Sequence, residues 1–470
     1  MVFAVMRPRP VAFVFLAVSL CAILTPVAGY AVPATKGHSS DTQIFQQAMT
    51  YLQAGNSAAA EPLLVALRSR HPHNFEIDES LGLLYAGEGR IPVAIPILAA
   101  AVRDNPKSSV ARANLGTAYL KVGKVEEAAR ELKLAAEQNP SDAETEVALG
   151  QADMLLKKPA EAAAAFEVAL PQDPTNSSLL YNTALALFQS HQPAKAEPLL
   201  ARMPGMDESA EAEELYGDVD EALHSYEDAG KHYAAAVRIH PSEPNVYMLG
   251  IEFLRHWTFG PAAKVFAAGV KQYPQSTRMQ VGLGVAYYGG GFYNKAIPVF
   301  AKLLDAHPNN SMYAELLGRN CTVLTEGMQP QCKKLVSFSE RHPDNAVLAT
   351  YTAVSILHQP YDPKGIALAL KLLTNAIRAQ PDLPRARFAM GLLLQNEQKW
   401  KESIPELEAA IRLKPQYAAA HYRLALAYSH EGEHQKAQQE IVLERKYSKE
   451  QSAETEARLQ KVTTFLVSMK

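Results

Sequence analysis

Residues 111–140 read ARANLGTAYLKVGKVEEAARELKLAAEQNP, and residues 279–308 read MQVGLGVAYYGGGFYNKAIPVFAKLLDAHP. The two stretches share a frame: Leu-Gly (Leu115-Gly116, Leu283-Gly284), a tyrosine three residues on (Tyr119, Tyr287), a later glycine (Gly123, Gly291) and a final proline (Pro140, Pro308). Working outward, prolines that follow a polar residue stand at Pro72, Pro106, Pro140 and Pro174, each 34 residues from the last. The series resumes at Pro241, Pro274, Pro308, Pro343, Pro381 and Pro415, with steps of 33, 34, 35, 38 and 34. The gap of 67 from Pro174 to Pro241 is nearly two steps, so one copy beginning near Ser177 has lost its proline. Further Leu-Gly pairs at Leu81-Gly82, Leu149-Gly150 and Leu249-Gly250 keep the same phase.

Each copy reads as two helices. Leu115, Ala118, Tyr119 and Val122 recur at helical spacing, Gly123 breaks the run, and Pro140 stops the second helix. Gly116 and Ala128 have little side chain, so the paired helices can approach closely there. The turn glycine recurs as Gly55, Gly89, Gly291 and Gly432. Pro62, Pro96, Pro198, Pro298 and Pro405 share one register early in the second helix, where a missing N–H is expected to cost little.

A 34-residue period with Leu-Gly, Tyr, small residues and a closing Pro resembles the tetratricopeptide repeat family. The resemblance implies an all-α fold, a right-handed superhelical solenoid of antiparallel helix pairs. Counting from the prolines gives about twelve units over 41–451: 41–74, 75–108, 109–142, 143–176, 177–209, 210–242, 243–276, 277–310, 311–345, 346–383, 384–417 and 418–451. Residues 452–470 read as a C-terminal capping helix, which would cover the apolar face that the last repeat leaves.

Before the repeats, residues 1–31 show a basic lead, an apolar run from Val11 to Leu24 and a small-residue stretch, the three parts of a secretory signal. Cleavage is expected after Ala31, with Gly29 and Ala34 as near alternatives, leaving a spacer over 32–40. The fourteen-residue run is short of the ~20 a bilayer span needs, and no span is expected in the mature chain. The expected location is exported, periplasmic or secreted. With 46 basic and 49 acidic residues the chain lacks the positive surplus of a nucleic-acid binder. With 48% hydrophobic and 20% charged residues it can bury a core.

Few residues suggest chemistry. His430-Glu431-Gly432-Glu433-His434 spells a zinc-protease pattern, but Gly432 holds the turn phase, so the chain should bend where catalysis needs one continuous helix. Cys321 and Cys332, expected on the first and second helix of one unit, read as a disulfide, with two buried thiols as the alternative. Asp207 to Asp228 holds ten acids and no Lys or Arg, which, without calcium-loop spacing, reads as a solvated helix face rather than a docking patch for a basic partner or a weak calcium site. No cofactor, metal or catalytic group is expected.

The resemblance places the binding wall on the first helix of each unit, three residues before the Gly mark and one and four after it. Those positions give Tyr247, Ile251 and Leu254, then Val281, Val285 and Tyr288, then Phe388, Leu392 and Gln395. Where Ala184 and Ala425 replace the glycine they give Tyr181, Leu185 and Phe188, and Tyr422, Leu426 and Ser429. Asn114 and Asn182, two before the mark, are candidates for bonds to a peptide backbone. The expected function is a non-catalytic scaffold or adaptor in the cell envelope that takes a protein or peptide, with no nucleic acid, and sits in a membrane-associated complex. The alternatives are a metal-dependent hydrolase through His430 to His434 and a carbohydrate-binding component of polysaccharide export.

Overall fold

The computed structural model describes residues 39–323 and 330–468, with side chains from 40 to 457 within those stretches. The expected signal (1–31) and most of the spacer lie outside the described residues. Twenty-four α-helices and no strand are present among the described residues, and they follow one another as twelve pairs in sequence.

The chain divides into two compact units, one ending at His232 and one beginning at Tyr233. The first holds α1 (Ser39–Gln53) with α2 (Ser57–Arg70), α3 (Phe75–Gly87) with α4 (Ile91–Asp104), α5 (Ser109–Lys121) with α6 (Val125–Gln138) and α7 (Ala143–Leu155) with α8 (Pro159–Ala169). It continues with α9 (Ser177–Gln189), α10 (Pro193–Ala201) and α11 (Ala210–Ala222), and the division falls within α12 (Tyr226–Ile239). The second holds α13 (Glu243–Arg255) with α14 (Phe259–Gln272), α15 (Thr277–Gly289) with α16 (Tyr293–Ala306) and α17 (Ser311–Cys321) with α18 (Lys334–Arg341). After these come α19 (Ala346–Leu357) with α20 (Pro363–Ala379), α21 (Pro384–Asn396) with α22 (Trp400–Leu413) and α23 (Ala418–His430) with α24 (His434–Ser468).

The marks in the sequence act as the physics requires. A Cβ on Gly116 would stand 2.6 Å from Leu132 Cγ and 3.2 Å from the carbonyl oxygen of Ala128, so only glycine lets α5 and α6 meet there. Leu132, like its counterparts Phe166, Phe266 and Phe300, is fully buried against such a glycine. Each contributes about 1.5–3 kcal/mol by leaving water. The residue after the repeat proline begins the next turn. Asn74, Ser108, Asn176, Ser276, Asn310 and Asn345, two past their prolines, each accept from a backbone N–H in the first turn of the helix they cap. Helix stop and helix start are therefore one local signal.

Three expectations change. Pro62 and Pro298 are the sixth residues of α2 and α16, past the four N–H groups that a helix leaves free, so each removes one i→i−4 bond rather than none. The end of the chain is a single helix from His434 to Ser468 instead of a repeat helix followed by a separate cap at 452. Lys449 stands where the next proline would fall, 34 past Pro415, so nothing stops the helix. The copy without its proline ends early: α10 has nine residues, and Pro204 and Gly205, at φ 69°, turn the chain into a 3-10 segment at Met206–Glu208.

Within each unit the core runs from pair to pair instead of around one centre, from Ala48 through Ala118 in one cluster and from Ala296 through Leu348 in another. Odd-numbered helices also touch the next odd-numbered helix, as α3 does α5, α5 does α7, α13 does α15, α19 does α21 and α21 does α23. The first helices of successive pairs thus lie side by side as one wall in each unit.

Candidate functional site

The expected wall residues separate by burial. Tyr181, Asn182 and Leu254 are 3%, 0% and 1% exposed. Tyr181 and Leu185 belong to the core cluster with Ala212 and Leu215, so this stretch of α9 packs inward and offers no face to a ligand. Asn182 cannot reach a peptide backbone from there. Phe188, Tyr247, Tyr288 and Phe388 are half-buried, and Tyr422 is exposed. Asn114 is half-buried on α5, with its Nδ2 hidden from water and without a hydrogen-bond partner among the described residues.

The half-buried aromatics come with neighbours. Tyr247 meets Phe266 edge-on with centroids 6.0 Å apart, and the Arg278 guanidinium lies 4.8 Å over its ring. Arg278 is itself held by Glu243, Nε to Oε1 at 2.7 Å, so that charge is compensated. Tyr288 packs edge-on to Tyr293 at 5.7 Å, and Phe388 lies 4.8 Å from Tyr417, the residue that precedes α23. Between these two aromatic pairs stands Tyr351 of α19. Arg319 Nε of α17 donates to its hydroxyl at 3.3 Å, and the Arg385 guanidinium of α21 lies 5.1 Å over its ring. Burial pushes the phenols of Tyr288 and Tyr417 above their usual value, against the opposing pull of the arginines.

Arg319, Tyr351, Arg385 and Tyr417 were not among the expected wall residues. Leu317-Gly318 lies 34 residues after Leu283-Gly284 and continues the Leu-Gly series, and one residue past that mark is Arg319. Tyr351, Arg385 and Tyr417 lie two, six and eight residues before their own marks, where the three-position rule does not look.

Other candidates resolve differently. Helix α23 ends at His430 and α24 begins at His434, with Gly432 between them at φ 79°. The His430 ring stacks on Trp400 at 3.7 Å and 8°, so the zinc-protease pattern is split across a turn and lacks the continuous helix its chemistry needs. Cys321 and Cys332 are joined by a disulfide with Cα atoms 5.9 Å apart, both buried. Cys332 sits in a 3-10 segment, Pro330–Lys333, ahead of α18 instead of on it. The acidic stretch is not all solvated: Glu213 and Asp220 are 6% and 5% exposed. His232 Nδ1 lies 2.5 Å from Glu213 Oε2 and its ring stacks on Tyr216 at 4.0 Å, so these acids are structural partners.

Rows of short paired helices, with small residues at the crossings and polar or aromatic side chains along the wall, define a helical-repeat solenoid. Models of the tetratricopeptide repeat match residues 85–149 in one case and 45–109, 247–311 and 388–446 in another. The chain belongs to the tetratricopeptide repeat family, whose repeats build protein-interaction scaffolds. No curated protein matches the sequence. Among solved structures, the Naa15/Naa10 complex bound to HypK-THB matches at 14% identity and TM-score 0.41, over 86% of this chain and 68% of that one. YrrB, a TPR protein with an unusual peptide-binding site, matches at 21% and 0.35 over 39% of this chain and 95% of its own. The pilF protein of Pseudomonas aeruginosa matches at 20% and 0.35 over 44% and 94%. Among the described residues no helix is long and apolar enough to cross a membrane.

Proposed function

We propose that this protein is an exported, non-catalytic scaffold of the cell envelope that holds a peptide segment of another protein against the odd-helix wall. One observation carries the reading: Tyr247, Tyr288 and Phe388 are large rings left half-buried at corresponding faces of α13, α15 and α21, where core residues at neighbouring positions are sealed. Half-buried rings gain area when a partner covers them, and each adds about half of the roughly 1.5–3 kcal/mol that burying a fully exposed ring contributes. Contacts repeated along a stack add, so modest individual sites give useful affinity. Export is supported by the basic lead and apolar run at the amino terminus, and a buried Cys321–Cys332 bridge suits an oxidising compartment.

The test is capture from an envelope fraction by the mature chain and by a Tyr247→Ala/Phe388→Ala variant of matched thermal stability. Loss of most of the recovered partner in the variant is expected. Unchanged recovery would remove the wall as the binding surface. Amino-terminal sequencing of the secreted chain should begin after Ala31.

A further inference from the structure

Two positive charges on the second unit's wall have no countercharge among the described residues. Arg319 is half-buried and Arg385 exposed, and neither forms an ion pair among the described residues. The acid one turn back from Arg319, Glu315, is occupied by Asn345 Nδ2 at 3.1 Å instead. Arg387, two residues from Arg385, is paired with Glu406 at 2.9 Å on the next helix. What Arg319 and Arg385 share is Tyr351, a neutral phenol that orients both guanidiniums and cancels neither. The wall thus holds two forks of donors in place with their charge unspent.

The spacing narrows what would fit. One guanidinium touches the hydroxyl of Tyr351 and the other lies over its ring, so the two charges flank a single side chain, a span suited to two carboxylates on one side of an extended strand, about 6.8 Å apart at positions i and i+2. On the two flanks, Tyr288 with Tyr293 and Phe388 with Tyr417 make edge-on or tilted pairs. All four rings are half-buried, so each pair offers apolar surface beside the charges to a bulky side chain. Charge complementarity and this order of groups point to one kind of occupant. We propose that the Arg319–Tyr351–Arg385 cluster binds an extended peptide with two acidic residues two positions apart, flanked on each side by a bulky apolar residue. The proposal rests on the protein-binding reading of the wall and supplies the chemistry of its partner.

The probe is a fluorescein-labelled peptide of about ten residues with a leucine–glutamate–serine–glutamate–phenylalanine core, long enough to span about 33 Å when extended. Its glutamine counterpart, a lysine counterpart and polygalacturonate are measured beside it on the full chain by fluorescence anisotropy. The glutamate peptide should bind at least tenfold tighter than the glutamine peptide, and the lysine peptide should not bind. Arg319→Ala and Arg385→Ala should each weaken the glutamate peptide about tenfold and leave the glutamine peptide unchanged. Arg319→Gln and Arg385→Gln keep the aliphatic stem, and the same loss is expected from them if truncation to alanine disturbs packing.

Equal binding of the glutamate and glutamine peptides, or arginine variants that bind as the parent does, would overturn the proposal. So would displacement of the peptide by polygalacturonate at a lower carboxylate concentration, which would make the cluster a polysaccharide site. If the arginine variants still capture the partner that Tyr247→Ala/Phe388→Ala loses, this proposal fails while the protein-binding wall stands. If neither set of variants affects capture, the wall itself is wrong.

Discussion

The walls of the two units differ in what they leave unsatisfied. In the first, Glu79 Oε1 on α3 and Asn114 Nδ2 on α5 are hidden without a hydrogen-bond partner among the described residues, while Tyr181 and Asn182 on α9 are sealed into the core. In the second, the groups without an ion-pair partner among the described residues are guanidiniums among phenols. The frame is the same in both. Gly116 against Leu132 and Gly284 against Phe300 make the same close approach, and the turns at Gly123 and Gly291 have φ 75° and 77°. The pairing of helices depends on small residues at crossings and on caps, and wall side chains take little part in either. One scaffold can therefore present an acid and an amide in one stretch and a cationic face in another without a change of fold.

The largest way to separate the units is through the disulfide, which lies only in the second. Helix α18 has eight residues, and Cys332 ties the segment before it to the end of α17. A bridge closing a loop with sequence separation 11 contributes about 3 kcal/mol on the chain-entropy account. Cys321→Ser/Cys332→Ser should lower stability by about that amount, and hydrogen exchange should speed up at α17 and α18 while α3 to α8 keep their protection. Loosening spread evenly over both units would show that they unfold as one.

A smaller effect tests the first unit's wall. Burial, with Glu76 adding to it, pushes Glu79 up to about 7 from an ordinary value of 4.5. The folded chain then holds this proton over a pH range where the unfolded chain has released it. The stability contribution is therefore full below about 4.5 and is lost as pH rises to about 7. Asp220, pushed up to about 6 by burial against the pull of His232, works in the same direction. Glu79→Gln should flatten, without abolishing, the fall in melting temperature between pH 5 and 8, and should gain about 1–2 kcal/mol at pH 8 once solvent screening is allowed for. A variant whose profile overlays the parent would mean that Glu79 finds a partner in solution.

Legibility tracked the backbone. Proline, glycine and Leu-Gly spacing report helix ends and crossings, where a residue acts through its own conformation or size, so a pair such as α5 with α6 can be read from Pro140, Gly116 and Gly123. Burial at the wall depends on a partner helix that spacing does not describe. Tyr181 and Tyr422 occupy the same repeat position, yet one is 3% exposed and the other 46%. Arg319 had a signal in Leu317-Gly318, but Arg385 and Tyr417 reach Tyr351 and each other from helix starts that a fixed offset from the glycine misses. Continuation of α24 past 451 turned on an absence, the proline that Lys449 replaces.

The smallest effect compares turns instead of walls. The left-handed turn position carries glycine at Gly55, Gly89, Gly123, Gly291 and Gly432, but Lys157 at φ 59°, His191 at 61°, His224 at 64°, Trp257 at 58° and Gln398 at 62°. Side chains with a Cβ resist this conformation by about 1–2 kcal/mol, and glycine's greater freedom when unfolded returns part of that. Lys157→Gly in the first unit and Gln398→Gly in the second should each therefore stabilise by about 0.5–1 kcal/mol, read as a rise in melting temperature. The reverse change, Gly123→Lys, should cost a similar amount, since nothing lies within 4 Å of a Cβ built there and the backbone angle alone decides. Gln398 Oε1 also accepts from Trp400 Nε1 at 3.3 Å, an exposed bond that Gln398→Gly gives up. The gain at 398 should accordingly be the smaller of the two, and a gain there equal to that at 157 would show that this bond adds nothing to the turn.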